Sequence, residues 1–412
     1  MALVRQSLYR SSLAAVRPAV MESLQSSSLF AHLRPGARIA IGLGSRGIGR
    51  LDEIVAAVLD FFKQHGFEPI IVPAMGSHGG GTPEGQRQVL DSLGITAASP
   101  EVTIDPDMST DCVGRLECGM KVLVSRSARS ADHIFVINRV KPHTKFTADR
   151  ESGLAKMLAV GLGKADGAAE IHRFAVRHSF EVISEAAAKI MAVCPVLGGL
   201  AILEDGHGQP ARIETVAAGD LLEAEQDLLA AAKDMLPKIP LDQVDLLIVD
   251  RIGKNISGIG MDSNVTGRHR DITGDFCLAP HPKRIFVRDL APESHGNANG
   301  IGLADFTTSR LVKAMDRDKT NFNALIAISP EKAAIPLWFE TDREAIAAGL
   351  KSCGLADPAS ARVVRIRDTS HLGILSISRA FENELRDHRS LTLAGDWESM
   401  RFDGQGNLAD LA

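Results

Sequence analysis

Arg38-Ile-Ala-Ile-Gly-Leu-Gly44 is a continuous apolar run that stops at glycine, and the pattern after it, Leu51 to Gln64, repeats its apolar residues every three to four positions and closes at Gly66. The first reads as a strand buried on both faces and the second as an amphipathic helix. Glu68-Pro-Ile-Ile-Val-Pro73 then repeats the strand signal, and Glu84 to Leu93 repeats the helix. Alternation of strand and helix at this spacing defines a parallel α/β sheet. Ala131-Asp-His-Ile-Phe-Val-Ile-Asn-Arg139 reads as a later strand, and Phe180 to Val193 and Asp220 to Met235 as helices.

Leu236-Pro-Lys-Ile-Pro240 marks a joint, after which Val244-Asp-Leu-Leu-Ile-Val-Asp250 restarts the strand pattern. Further strands are expected at Arg284-Ile-Phe-Val-Arg288, Ala324-Leu-Ile-Ala-Ile328 and Ala361-Arg-Val-Val-Arg-Ile366. The fold class expected is α/β: two α/β domains with parallel or mixed sheets, residues 1–240 and 241–412, and an interdomain cleft. Proteins of this shape bind ligands at the carboxyl ends of strands.

Composition narrows the function. Of 412 residues, 45% are hydrophobic and 24% charged, as in ordinary globular proteins. Forty-six basic against 51 acidic side chains give a net charge of −5, without the basic excess that phosphate backbones require. Aromatics at 4% supply no platform for stacking bases. Nucleic acid is therefore not an expected partner. The longest uncharged stretch, Ile190 to Leu203, contains Pro195 and is too short to span a bilayer, so no membrane association is expected. The five cysteines include no C-x-x-C pair, which points to the reducing cytoplasm. The first 20 residues, with Arg5, Arg10 and Arg17 and no acid, superficially match an organellar transit peptide, but a short polar-edged segment is the plainer reading.

Three loops carry chemistry. Gly42-Leu-Gly-Ser-Arg-Gly47 has the literal form of a dinucleotide turn. The acid that would hold a ribose should end the next strand, where this chain has Pro73 and Ala74. A tight turn able to hold a phosphate or carboxylate, with Arg46 as a bidentate partner, is the better reading. Gly76-Ser-His78-Gly-Gly-Gly presents an uncrowded imidazole suited to general acid/base work. Lys141-Pro-His143 follows the strand ending at Arg139 and leads into the apolar run around Lys156, where desolvation would lower the lysine pKa and make it nucleophilic.

Together these landmarks resemble the nickel-dependent lactate racemases and their superfamily of 2-hydroxyacid racemases and epimerases. The matches are Gly76-Ser-His78, Lys141-Pro-His143, Gly153-Leu-Ala-Lys156 and His172, in that order within residues 35–200; Lys156 and His172 lie the expected 16 residues apart. His143 to Lys156 is 13 residues, a few longer than the family's interval. The resemblance implies that Lys156 holds a nickel-pincer nucleotide (pyridinium-3-thioamide-5-thiocarboxylic acid mononucleotide) covalently, with Ser45 and Gly153 beside it, and that His172 completes the nickel coordination. It implies His78 and His143 as acid/base groups on opposite faces of a 2-hydroxy acid, reversible hydride transfer through a 2-oxo acid, and Arg46 as a substrate anchor. The enzymes that make the pincer cofactor are implied partners.

The C-terminal half departs from the family. In place of a Tyr-Gln-x-x-Lys element it has the polar, glycine-punctuated loop Gly253 to Arg268, beginning Gly253-Lys-Asn-Ile-Ser-Gly258, which makes Lys254 and Asn255 the candidate substrate contacts there. Glu293 to Asp305, with His295 and Asn297, reads as a second polar loop with no assigned role. These departures fit a larger or more polar substrate than lactate, such as a sugar acid. An NAD-dependent oxidoreductase using the Gly42–Gly47 turn, and a non-catalytic homologue that binds metal or cofactor, are the alternative readings. No motif encodes the oligomeric state.

Overall fold

The strands Arg38–Leu43 and Glu68–Pro73 pair in parallel, with Arg38 opposite Glu68 and Leu43 opposite Pro73. They lie at the centre of a sheet in a computed structural model that describes residues 1–45, 47–96 and 103–411. The chain is mixed α/β and divides into two compact units. The first comprises residues 9–143 and 147–236; the second comprises 1–8, 144–146 and 237–411.

The first unit is built on a six-stranded sheet in the order Thr103–Ile104, Glu68–Pro73, Arg38–Leu43, His133–Arg139, Val196–Glu204, Pro210–Ala217. Every pairing is parallel except the last, a hairpin. Helices Val16–Gln25 and Leu51–Gln64 bury one face of it. Asp52 and Glu53 in the first turn of the second helix, and Lys63 in its last, complement the helix dipole. Phe30, Phe61, Phe62 and Phe135 meet edge to face in this layer, which locks the helix Leu51–Gln64 onto the sheet.

The second unit holds an eight-stranded sheet in the order Leu337–Phe339, Phe306–Thr308, Arg284–Leu290, Leu246–Ile252, Val363–Asp368, His371–Ile377, Ala2–Gln6, Leu391–Leu393. The first five strands run parallel and the rest antiparallel. Two sequence expectations differ here. Residues 1–8, read with the N-terminal half, place Ala2–Gln6 between two strands of this sheet, because Ala2 and Val4 alternate into its core. Ala324–Ile328, read as a strand, instead overlaps the end of helix Arg317–Ile326, capped by the Asp316 side chain. A five-residue apolar run has no period of its own, and the cap upstream decides the structure. Among the described residues, no helix is long and apolar enough to cross a membrane.

Candidate functional site

Three adjacent parallel strands of the first unit end side by side, and the loops leaving their carboxyl ends carry Ser45, His78 and His143. The Ser45 hydroxyl pairs directly with Nδ1 of His78. His78 is exposed, and its loop is held from below by Gln86, which is fully buried and donates to the carbonyls of Gly76 at 3.0 Å and His78 at 3.4 Å. Gln86 in turn accepts from Lys164 Nζ at 3.4 Å, while the same ammonium donates to Pro73 O at 2.7 Å. Burial pushes the Lys164 amine down to about 8, partly offset by Asp105 and Asp107. Lys164 thus fastens the end of strand Glu68–Pro73 to the loop it feeds.

His143 is set by Glu151, a buried carboxylate that accepts from the His143 backbone N–H at 2.6 Å and from Ala148 N–H at 3.3 Å, and pairs with Lys233 at 2.7 Å. Lys141 and Ser152 exchange backbone hydrogen bonds, closing the loop at its base. Phe180 lies between two of the candidate imidazoles: its ring centroid is 6.4 Å from His143, tilted, and 6.4 Å from His172, edge to face.

Lys156 ends the short helix Leu154–Lys156 and runs straight into a π-helical turn, Met157–Gly161. Turns of this kind widen the helix and recur at functional sites. The turn abuts the His78 loop backbone to backbone: Gly76 N–H donates to Gly161 O at 3.2 Å, and a Cβ on Gly161 would come within 2.6 Å of Ala74 O. The first loop touches the same turn, since a Cβ on Gly44 would meet the Met157 side chain at 3.5 Å. His172 follows on helix Lys164–His178. The loops carrying Ser45 and His78, distant in sequence, therefore both meet the turn that follows Lys156.

The start of the lysine helix is gripped by Glu225, only 1% exposed, which accepts from Ala155 N–H at 2.9 Å. Gly153 lies against that carboxyl, where a Cβ would come within 2.5 Å of the Glu225 side chain, so its role is to let Glu225 in. Oε1 of Glu225 has no hydrogen-bond partner among the described residues. Burial pushes the carboxyl up to about 7, against the pull of the Ala155 and Leu154 N–H groups and Arg150. Because the unfolded chain releases this proton near 4.5 and the folded chain keeps it until about 7, stability is highest below that window and falls as pH rises through it. The expected loss is about 3 kcal/mol. Urea unfolding across the window measures it, and Glu225→Gln, which keeps an acceptor, is expected to flatten the profile.

Sequence reading singled out neither Glu225, Lys164, Glu151 nor Phe180. Lys164 alone had a local signal, a cation inside the apolar run Gly161-Leu-Gly-Lys164-Ala. Arg46 lies outside the described residues. Lys254 and Asn255 belong to the second unit, where Lys254 Nζ donates to Gly258 O of its own loop at 2.6 Å and Asn255 is exposed. His295 is exposed, and Asn297 accepts from Asn299 N–H.

No family model matches the chain, and no curated protein matches it. Among solved structures, it is similar to a protein from Thermotoga maritima at 14% sequence identity and a TM-score of 0.49, over 86% of this chain and 94% of that one. It is also similar to the lactate racemase apoprotein from Thermoanaerobacterium thermosaccharolyticum at 11% identity and a TM-score of 0.46, over 82% of this chain and 95% of that one.

Proposed function

We propose that this chain is an isomerase that inverts a 2-hydroxy acid, possessing a polar substrate such as a sugar acid, with Lys156 and His172 holding a nickel-pincer nucleotide. The observation that carries the reading is the contact between the Lys156 turn and the His78 loop, through Gly76 N–H and Gly161 O. It joins the segment that follows Lys156 to the loop that carries His78, which supports assigning a covalent link to the lysine and proton transfer to the imidazole.

The donors suit the group. Lys156 and His172 are both half-buried, and a single imidazole nitrogen is an appropriate protein ligand for square-planar nickel. When bound, the pincer supplies a hydride acceptor. The remaining work falls to the chain. The Ser45 pairing engages Nδ1 of His78, so proton exchange with the substrate hydroxyl is assigned to Nε2. His143, its backbone anchored by Glu151, serves the opposite enantiomer, whose hydroxyl points the other way. Arg46, Lys254 and Asn255 are the proposed carboxylate and hydroxyl contacts. The five cysteines are free thiols, in keeping with a cytoplasmic enzyme.

The test is the intact mass and nickel content of protein made in cells that also express the pincer-forming enzymes. A nucleotide-sized adduct on Lys156 with near-stoichiometric nickel is expected, and Lys156→Ala is expected to lose both. An unmodified, metal-free chain under those conditions would overturn the reading. Nicotinamide binding is disfavoured because strand Glu68–Pro73 runs into buried Ala74 with no acid for a ribose.

A further inference from the structure

The central sheet face of the second unit changes character along its strands. At the amino ends Leu246, Ile248 and Phe286 are buried in an apolar layer. Further along, the same two strands carry Asp250 and Arg288, and Asp250 forms buried ion pairs of 2.8 to 3.2 Å with Arg288 and with Arg365 of the adjacent strand Val363–Asp368. The chain leaves Leu246–Ile252 toward Arg284–Leu290 on one side and returns at Val363–Asp368 on the other. This is a topological reversal, the place where open α/β sheets bind ligands. A cavity of about 230 Å³ opens there, lined by Arg251, Arg288, Arg310 and Arg367 together with Asp250, Asp289 and Asp410.

The four guanidinium groups are not equivalent. Arg288 is spent on Asp250, Asp342 and the Leu408 carbonyl, and Arg310 on Asp289, Asp342 and Asn407. Arg251 makes no side-chain hydrogen bond or ion pair among the described residues, and Arg367 reaches only Asp368, at 4.0 Å. Both are exposed at the cavity mouth. The Asp410 carboxylate, 89% exposed, stands 3.9 Å from Arg288, at the outer limit of an ion pair. With the floor arginines neutralised by aspartates, the two uncommitted guanidinium groups outnumber the one loosely held carboxylate, so the cavity favours an oxyanion.

We infer that this cavity binds the phosphate of a small phosphate monoester, with Arg251 and Arg367 as its bidentate partners and Asp410 as a displaceable competitor. Two guanidinium forks match the geometry and the charge of a phosphate ester. The volume exceeds that of several waters at about 30 Å³ each, which leaves room for a short polyol beyond the phosphate.

Calorimetric titration of the full chain with glycerol 3-phosphate, inorganic phosphate and glycerol, at constant ionic strength, tests this. Saturable binding of the ester is expected, tighter than that of inorganic phosphate, with none for glycerol. Arg251→Gln and Arg367→Gln are each expected to weaken it about tenfold without changing the melting temperature. Asp410→Asn is expected to tighten it several-fold. Absence of saturable binding by the ester, or binding that both arginine variants leave unchanged, would overturn the site. Equal affinity for ester and inorganic phosphate would overturn the ester and make free phosphate the ligand.

Discussion

Asp271→Ala is expected to destabilise the second unit by about 3–5 kcal/mol, read as a shift in its urea midpoint. Asp271 is buried, and one of its oxygens faces Lys332 Nζ at 2.7 Å, Lys145 Nζ at 3.3 Å and the Ser329 hydroxyl at 2.5 Å. Burial alone would raise its pKa, but the Lys332 and Lys145 ammonium groups and the Ser329 hydroxyl hold it well below the usual carboxylate range. Its contribution is therefore complete at neutral pH and lost only as pH falls through that depressed value. Removing the carboxylate leaves two buried ammonium groups, 6% and 1% exposed at their side chains, without their counter-charge. Asp271→Asn keeps the shape without the charge and is expected to recover only a minor part of the loss. A variant as stable as the parent would show that the lysines reach water when their partner is gone.

The second large effect concerns the imidazoles. His78→Ala and His143→Ala are each expected to lower racemisation by about 10²- to 10⁴-fold in both directions, the range for a lost general acid or base. Both directions suffer because the proposed inversion assigns one histidine to each enantiomer. Cofactor attachment and nickel content are expected to persist. His78 is exposed on a loop braced by Gln86, so its replacement should leave the melting temperature nearly unchanged. Equal loss of nickel in both variants would instead identify them as ligands, and the two outcomes separate in one elemental analysis. Chiral chromatography of candidate hydroxy acids gives the rate.

Much of the first unit's sheet was legible because Arg38–Leu43 and Glu68–Pro73 are buried on both sides and so read as unbroken apolar runs. The candidates His78, His143, Lys156 and His172 were marked in the sequence for a different reason: His78 adjoins Gly79, His143 follows Pro142, Lys156 closes Gly153-Leu-Ala-Lys156, and His172 lies 16 residues further on. What holds them was not. Glu225 lies in a helix whose sequence, Leu221-Leu-Glu-Ala-Glu225, looks like a solvated acidic face, and only the fold turns that carboxyl toward Ala155. Glu151, next to Arg150 and Asp149, looks equally ordinary until its loop closes around it. The π-helical turn has no composition signal, since Met157 to Gly161 would serve a regular helix as well. The helix Arg317–Ile326 was misread where a short apolar run carried no period.

Strand Ala2–Gln6, flanked by His371–Ile377 and Leu391–Leu393, has a consequence in time. On the ribosome this strand is made long before either neighbour. At roughly 5–20 residues per second it waits about 20–70 s for partners. During that interval Val4, which ends fully buried, has no sheet to enter. The second unit therefore completes its sheet only once residue 393 is made, whereas every described strand of the first unit is already available by residue 217. The order of synthesis makes the first unit the earlier folder and leaves the strand Ala2–Gln6, with its apolar residues, unpaired meanwhile.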